Sequence, residues 1–236
     1  MNGAFAPSGV MRNHRGMHSG QALSVPSFDA VTLGRQTSGV SLTFAHTVAV
    51  QSNRALVVAM SYRGNTNPTA TATGITYAGV AMTKVRRDSN TDRKTEIWYL
   101  VAPATGANNV IVTWSADPEG QIVAAVSYYG VNQVSPIAAN NGATGNSQNP
   151  AVAVTAATHQ LVVAVGAIYP NGIANLPLTP GTGTTERWED DENAGGLGNV
   201  QGFGGEETGA GGSTTIDWTH PGGADTWAMS AIVLTA

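Results

Sequence analysis

Polar and apolar residues alternate, or β-branched residues run on unbroken, in a succession of short segments from Phe28 to the C-terminus. In the first half these are residues 40–50, 54–62, 75–85, 95–101, 109–114 and 121–129. In the second they are 151–155, 160–169, 184–188, 213–218 and 226–235. A period of two puts alternate side chains on opposite faces of an extended chain, so each segment reads as a strand with one face to bury. Turn signals separate them: Asn67-Pro68, Asp117-Pro-Glu-Gly120, Asn141-Gly142, Asn171-Gly172 and His220-Pro-Gly-Gly223. No stretch of twelve residues carries apolar positions at helical spacing. The pattern predicts an all-β, antiparallel, jelly-roll-like β-sandwich over residues 28–236, preceded by an extended N-terminal arm, 1–27.

Three matches at a near-constant offset predict an internal duplication. Ala55-Leu-Val-Val-Ala59 recurs as Gln160-Leu-Val-Val-Ala164, Val110-Ile-Val-Thr-Trp114 as Thr214-Thr-Ile-Asp-Trp218, and 121–126 as 226–231. The offset of 104 or 105 residues is far longer than a solenoid repeat. It predicts two degenerate half-repeats, about 40–136 and 150–236, each giving strands to both sheets of one closed sandwich.

Charge changes the picture more than composition does. Only 11% of the 236 residues are charged, against about 25% in an average soluble domain. The surface is therefore either neutral or covered. The few charges are also sorted. Residues 1–94 carry ten Lys or Arg against three acids, and residues 95–236 carry Arg187 alone against twelve. The cations are dispersed and not interleaved with aromatics, so no nucleic-acid partner is expected. No run of 18 apolar residues is present, and no membrane span is expected. Segment 1–27 has no apolar core for a secretion signal. It is too polar to order itself, so an arm of this kind is expected to lie on a neighbouring subunit or shell, through Phe5, Met11, Arg12, Arg15 and Met17.

Candidate chemistry is sparse. There is no cysteine, which removes thiol nucleophiles and Cys-ligated metals. His14 and His18 stand four apart, but Gly16 between them argues against a helix, and no metal or cofactor is expected. His46 falls within an alternating segment and reads as structural. The acids cluster once, at Glu189-Asp-Asp-Glu192 after Trp188, in a segment expected to be a loop. Trp188, Glu189, Asp190, Asp191 and Glu192 form the alternative ligand site, a sugar-stacking indole beside carboxylates. A hydrolytic pair such as Glu189 with Asp217 is a minor alternative. Gly196-Leu-Gly-Asn-Val-Gln-Gly202 imitates a dinucleotide fingerprint, but its spacing departs from the motif and no helix follows to cap a pyrophosphate. The glycine-rich stretch 195–212 is expected to be a loop.

The segments Arg54-Ala-Leu-Val-Val, Ile75-Thr-Tyr-Ala-Gly-Val-Ala-Met-Thr-Lys-Val85, Glu96-Ile-Trp-Tyr-Leu-Val-Ala-Pro, Asn109-Val-Ile-Val-Thr-Trp114 and Val126-Ser-Tyr-Tyr-Gly-Val-Asn-Gln resemble a β-sandwich module of tailed-phage virion proteins and bacterial surface proteins. The resemblance covers about residues 40–170 and carries no catalytic positions. It implies a non-enzymatic virion subunit, a capsid decoration or cement protein assembled in the host cytoplasm. Its partners would be the major capsid protein or other virion proteins and sister subunits, as a homo-oligomer with a trimer favoured. The alternative is a glycan-binding or adhesive module on a virion tail or bacterial surface.

Overall fold

The computed structural model describes residues 24–64, 67–169, 176–192 and 200–236. The expected arm contacts Phe5, Met11, Arg12, Arg15 and Met17 lie outside the described residues. The regular elements among the described residues are all strands, and their pairings are all antiparallel.

The first half holds β1 (Ser27–Gln36), β2 (Ser41–Val48), β3 (Ala55–Arg63), β4 (Ala72–Tyr77), β5 (Val80–Ala81), β6 (Thr83–Asn90), β7 (Arg93–Val101), β8 (Gly106–Trp114) and β9 (Gln121–Tyr129). The second holds β10 (Ile137–Ser147), β11 (Ala151–Ala156), β12 (Leu161–Ile168), β13 (Thr179–Pro180), β14 (Thr185–Glu192), β15 (Val200–Thr208), β16 (Gly212–Thr219) and β17 (Asp225–Leu234). The predicted segment 75–85 resolves into a hairpin, because Ala78 and Gly79 both take positive φ and turn the chain between β4 and β5.

Four sheets result, with strand orders β1-β9-β3-β7-β6 and β2-β8-β4-β5 in the first half and β10-β17-β12-β15-β14 and β11-β16-β13 in the second. The second pair of orders repeats the first, strand for equivalent strand, except that β5 has no counterpart among the described residues. Each half is a two-sheet, sandwich-like unit with its own core. Leu56, Val58, Met60, Tyr62, Val110, Val112 and Trp114 fill the first. Val162, Ala164, Phe203, Ile216, Trp218 and Met229 fill the second. Central strands β3, β9 and β12 are apolar on both faces because a third core lies between the two five-stranded sheets. Ala55, Val57, Ala59, Ile122, Ala124 and Val126 meet Leu161, Val163, Val165, Trp188, Ile232 and Leu234 there. The molecule is thus a stack of four sheets.

The middle contacts come in equivalent pairs. β1 meets β14 as β10 meets β6, β9 meets β15 as β17 meets β7, β3 meets β15 as β12 meets β7, and β3 meets β12. The halves therefore face each other across a pseudo-twofold axis, as the subunits of a symmetric dimer do. Polar ties pin this layer. Ser61 Oγ donates to Gly166 O at 2.7 Å, and Thr95 Oγ1, Ser230 Oγ and Asp88 Oδ2 form a chain of 2.7 and 2.6 Å bonds.

Two sequence expectations change. Each sheet draws its strands from one half only, where the duplication was expected to feed both sheets of one sandwich. And the last residues of segment 1–27 belong to the fold: Pro26 is buried, Val25 packs against the middle core, and β1 starts at Ser27.

Candidate functional site

The acidic run 188–192 is strand β14, not a loop. It pairs with β15 from Thr185 opposite Glu206 to Glu192 opposite Val200, with a bulge between Glu186 and Trp188. Trp188 is 6% exposed and belongs to the middle core. Its indole lies across β15, where a Cβ on Gly202 would come within 3.0 Å of the ring and one on Gly204 closer still. Those glycines, of which Gly202 ends the apparent dinucleotide fingerprint, are thus the bed for a neighbouring indole. Buried in the middle core, Trp188 offers no open face to a sugar.

The carboxylates point to three places. Asp190 Oδ1 accepts from Arg35 Nη1 of β1 at 3.0 Å, a bridge between the halves. Glu192 Oε1 accepts from Thr37 Oγ1 at 2.6 Å. Glu189 accepts from Gln201 Nε2 at 2.5 Å. Burial, with Glu186 close by, pushes the Glu189 carboxyl up to about 7, against the pull of its hydrogen bonds to Gln201 and the backbone of Leu178. Arg35, Gln36, Thr37, Asp191 and Glu192 line a cleft of about 390 Å³ at this junction. Near the other end of β1, Arg187 binds Glu206 and lays its guanidinium 4.0 Å from the Phe28 ring centroid. Asp217 stands on β16 of the outer sheet, opposite Ala151, so it and Glu189 are on different sheets.

The equivalent strand in the first half, β6, is basic. Sequence reasoning passed over it because Lys84, Arg86 and Arg87 are not interleaved with aromatics, and only the pairing to β7 shows what they surround. Glu96 of β7 is fully buried. Its Oε1 accepts from Tyr62 Oη (2.7 Å), Thr71 Oγ1 (2.6 Å) and the Ala72 amide (3.2 Å), and its Oε2 from Trp98 Nε1 at 3.1 Å. Lys84 Nζ of β6 stands 2.8 Å from Oε2, and Arg87 Nε 3.6 Å from Oε1. Every lone pair of the carboxylate is engaged, which is what allows a charge to sit there.

Two more ionisable groups are buried within the fold. His46, on the core face of β2, bonds Thr32 Oγ1 through Nδ1 at 3.0 Å and has no partner at Nε2. Burial lowers it to about 4, opposed by Asp29. Lys94, also fully buried, donates to Gly64 O at 3.1 Å, and burial lowers its pKa. Gln201 does the same service in the second half, bonding both backbone groups of Leu176. Among the described residues no group of three His, Asp or Glu side chains is placed to hold a metal ion. No protein-family model, curated protein or solved structure matches the chain.

What the surface offers instead is a broad neutral face. The outward residues of the outer sheet β2-β8-β4-β5 are Ser41, Thr43, Ala45 and Thr47, then Ala107, Asn109, Ile111 and Thr113, then Thr73 and Thr76, with Val80 and Ala81 exposed on β5. None is charged. On the opposite outer sheet Ala151, Ala153, Thr155, Ser213, Thr215 and Thr219 continue the theme, with Asp217 the one charge among them.

Proposed function

We propose that the chain is a non-enzymatic structural subunit of a tailed-phage virion, decorating or cementing the capsid as a homo-oligomer, with segment 1–23 as its gripping arm. The observation that carries the reading is the uncharged outer face. A flat sheet of Ser, Thr, Asn and Ala loses little on leaving water and can pack on a shell without stranding a charge. The strand orders support jelly-roll-like modules, since β1-β9-β3-β7 opposite β2-β8-β4-β5 is the eight-strand, two-sheet weave common among capsid domains. Jelly rolls also occur in lectins, but the sugar-binding alternative loses its stacking platform with Trp188 buried.

The test is cosedimentation with shells prepared from the phage that encodes the chain. Since Val25 and Pro26 pack on the fold, the informative deletion is 1–23. The full chain pellets with the shells, and the truncated chain stays folded and stays in the supernatant. Equal pelleting of both removes the arm from the mechanism, and pelleting of neither removes decoration.

A further inference from the structure

We propose that copies of this chain join head to tail, the basic edge strand β6 of one copy pairing antiparallel with the acidic edge strand β14 of the next. The inference rests on the oligomeric part of the reading above and not on the virion.

Both strands end their sheets. Among the described residues β6 pairs only with β7 and β14 only with β15. The outer side of such a strand carries backbone N–H and C=O groups ready to extend the sheet. β6 and β14 are also equivalent strands of the two halves, and the pseudo-twofold sets them at opposite ends of the double layer, β6 against β10 and β17, β14 against β1 and β9. One molecule thus offers two equivalent edges pointing away from each other.

Their charges are opposite. β6 carries Lys84, Arg86 and Arg87 against Asp88, and β14 carries Glu186, Glu189, Asp190, Asp191 and Glu192 against Arg187. The Lys84, Arg86 and Arg87 side chains are 34, 26 and 31% exposed, and Asp190 is 23% exposed. An antiparallel alignment that sets Arg86 against Asp190 sets Arg87 against Glu189, with Lys84 beyond the bulge that precedes Arg86. Pairing β6 with β6, or β14 with β14, places like charges together and is disfavoured. The charges on these edges therefore block the symmetric joints and permit the asymmetric one. A joint of this kind leaves one free edge of each sign on every complex, so it closes into a ring or continues as a filament. It also leaves the neutral outer sheets uncovered, free to meet a shell.

The full chain is examined by sedimentation equilibrium over a range of concentrations. At about 20 mM salt the mass rises above the 24.1 kDa monomer with concentration, and about 0.5 M salt returns it to monomer. Two variants separate the edges. Thr83→Glu with Ser89→Glu, both at exposed sites, neutralises β6. Asp190→Lys halves the net charge of β14 and puts a cation at the position facing Arg86, at the expense of one exposed ion pair. Each variant melts like the parent, and each alone associates on the order of tenfold more weakly. Mixed, they form a one-to-one dimer and nothing larger, because each retains the edge the other has lost. A chain that stays monomeric throughout, association that ignores both variants, or a mixture that gains nothing over its parts overturns the proposal. Particle binding by a monomeric chain would overturn this joint and leave decoration standing.

Discussion

His46 and Glu189 sit on different sheets and shift in opposite senses, and together they set how stability responds to acid. Burial lowers His46 to about 4 from its ordinary 6.5. The unfolded chain therefore binds the proton first, and the stability His46 contributes is complete above pH 6.5 and is lost as pH falls towards 4. Glu189 is raised to about 7 from 4.5, so its contribution is complete below pH 4.5 and is lost as pH rises towards 7. Between these limits the two oppose each other. Denaturant titrations should give the parent a shallow profile from pH 4.5 to 6.5. His46→Gln should turn it downward with rising pH and Glu189→Gln upward, the His46 effect being on the order of 3 kcal/mol over its full range. Parallel profiles for both variants would show that neither group is linked to folding as its burial implies. Of this, the sequence disclosed only that His46 lies in an alternating segment. The solvation that moves both groups comes from residues far away in the chain.

At the scale of the element, strands were legible where side chains carry the signal and hidden where a neighbour supplies it. β9 falls on the predicted 121–129 and β3 within one residue of 54–62, since each holds an unbroken apolar run, Ile-Val-Ala-Ala-Val and Ala-Leu-Val-Val-Ala-Met. β10 (Ile-Ala-Ala-Asn-Asn-Gly-Ala-Thr-Gly-Asn-Ser) and β15 (Val-Gln-Gly-Phe-Gly-Gly-Glu-Glu-Thr) read as loops by composition. They are strands because aromatic rings lie where their glycines lack side chains, Trp227 over Gly145 and Trp188 over Gly202 and Gly204. A glycine strand of this kind takes its burial from the strand beside it. β7 shows a hidden dependence of another sort, on Glu96. Both its oxygens accept, so the amide of Glu96→Gln must turn its NH₂ toward donors in either orientation. That variant should lose about 3 kcal/mol in chemical denaturation. A loss under about 1 kcal/mol would mean that Lys84 and Arg87 find water as good a partner.

Taken whole, the molecule repeats its topology more faithfully than its sequence. The match of Ala55–Ala59 to Gln160–Ala164 lays Leu56, in the first half's own core, on Leu161, in the middle core. A shift of one residue exchanges the faces of a strand, so that identity is out of phase with the structure. The match of Trp114 to Trp218 keeps its phase. Both indoles fill their half's core, each against another aromatic ring 4.7 or 4.8 Å away. The duplication is thus legible in the order of strands, where pairing and closure constrain it, and blurred in residues that only have to be apolar. The sorted charges have a similarly local cause. The cations of β6 meet Asp88 and Glu96 of their own sheet, and Arg35 with Asp190 is the ion pair that crosses the halves among the described residues. Because the middle core is continuous, calorimetry should show one unfolding transition for both halves. Two separated transitions would mean that the layer between them does not couple. The connection from β9 to β10 looks by its position like a joint where the chain could be divided, but Val131 is wholly buried in the middle core. Asn132 bonds Thr235 through its amide and caps Val134 and Ser135 with its side chain. Anyone wishing to cut, tag or splice this protein at its midpoint would be opening a keystone, and the turn between β16 and β17, where Gly222 and Gly223 have open space around them, is the gentler place to work.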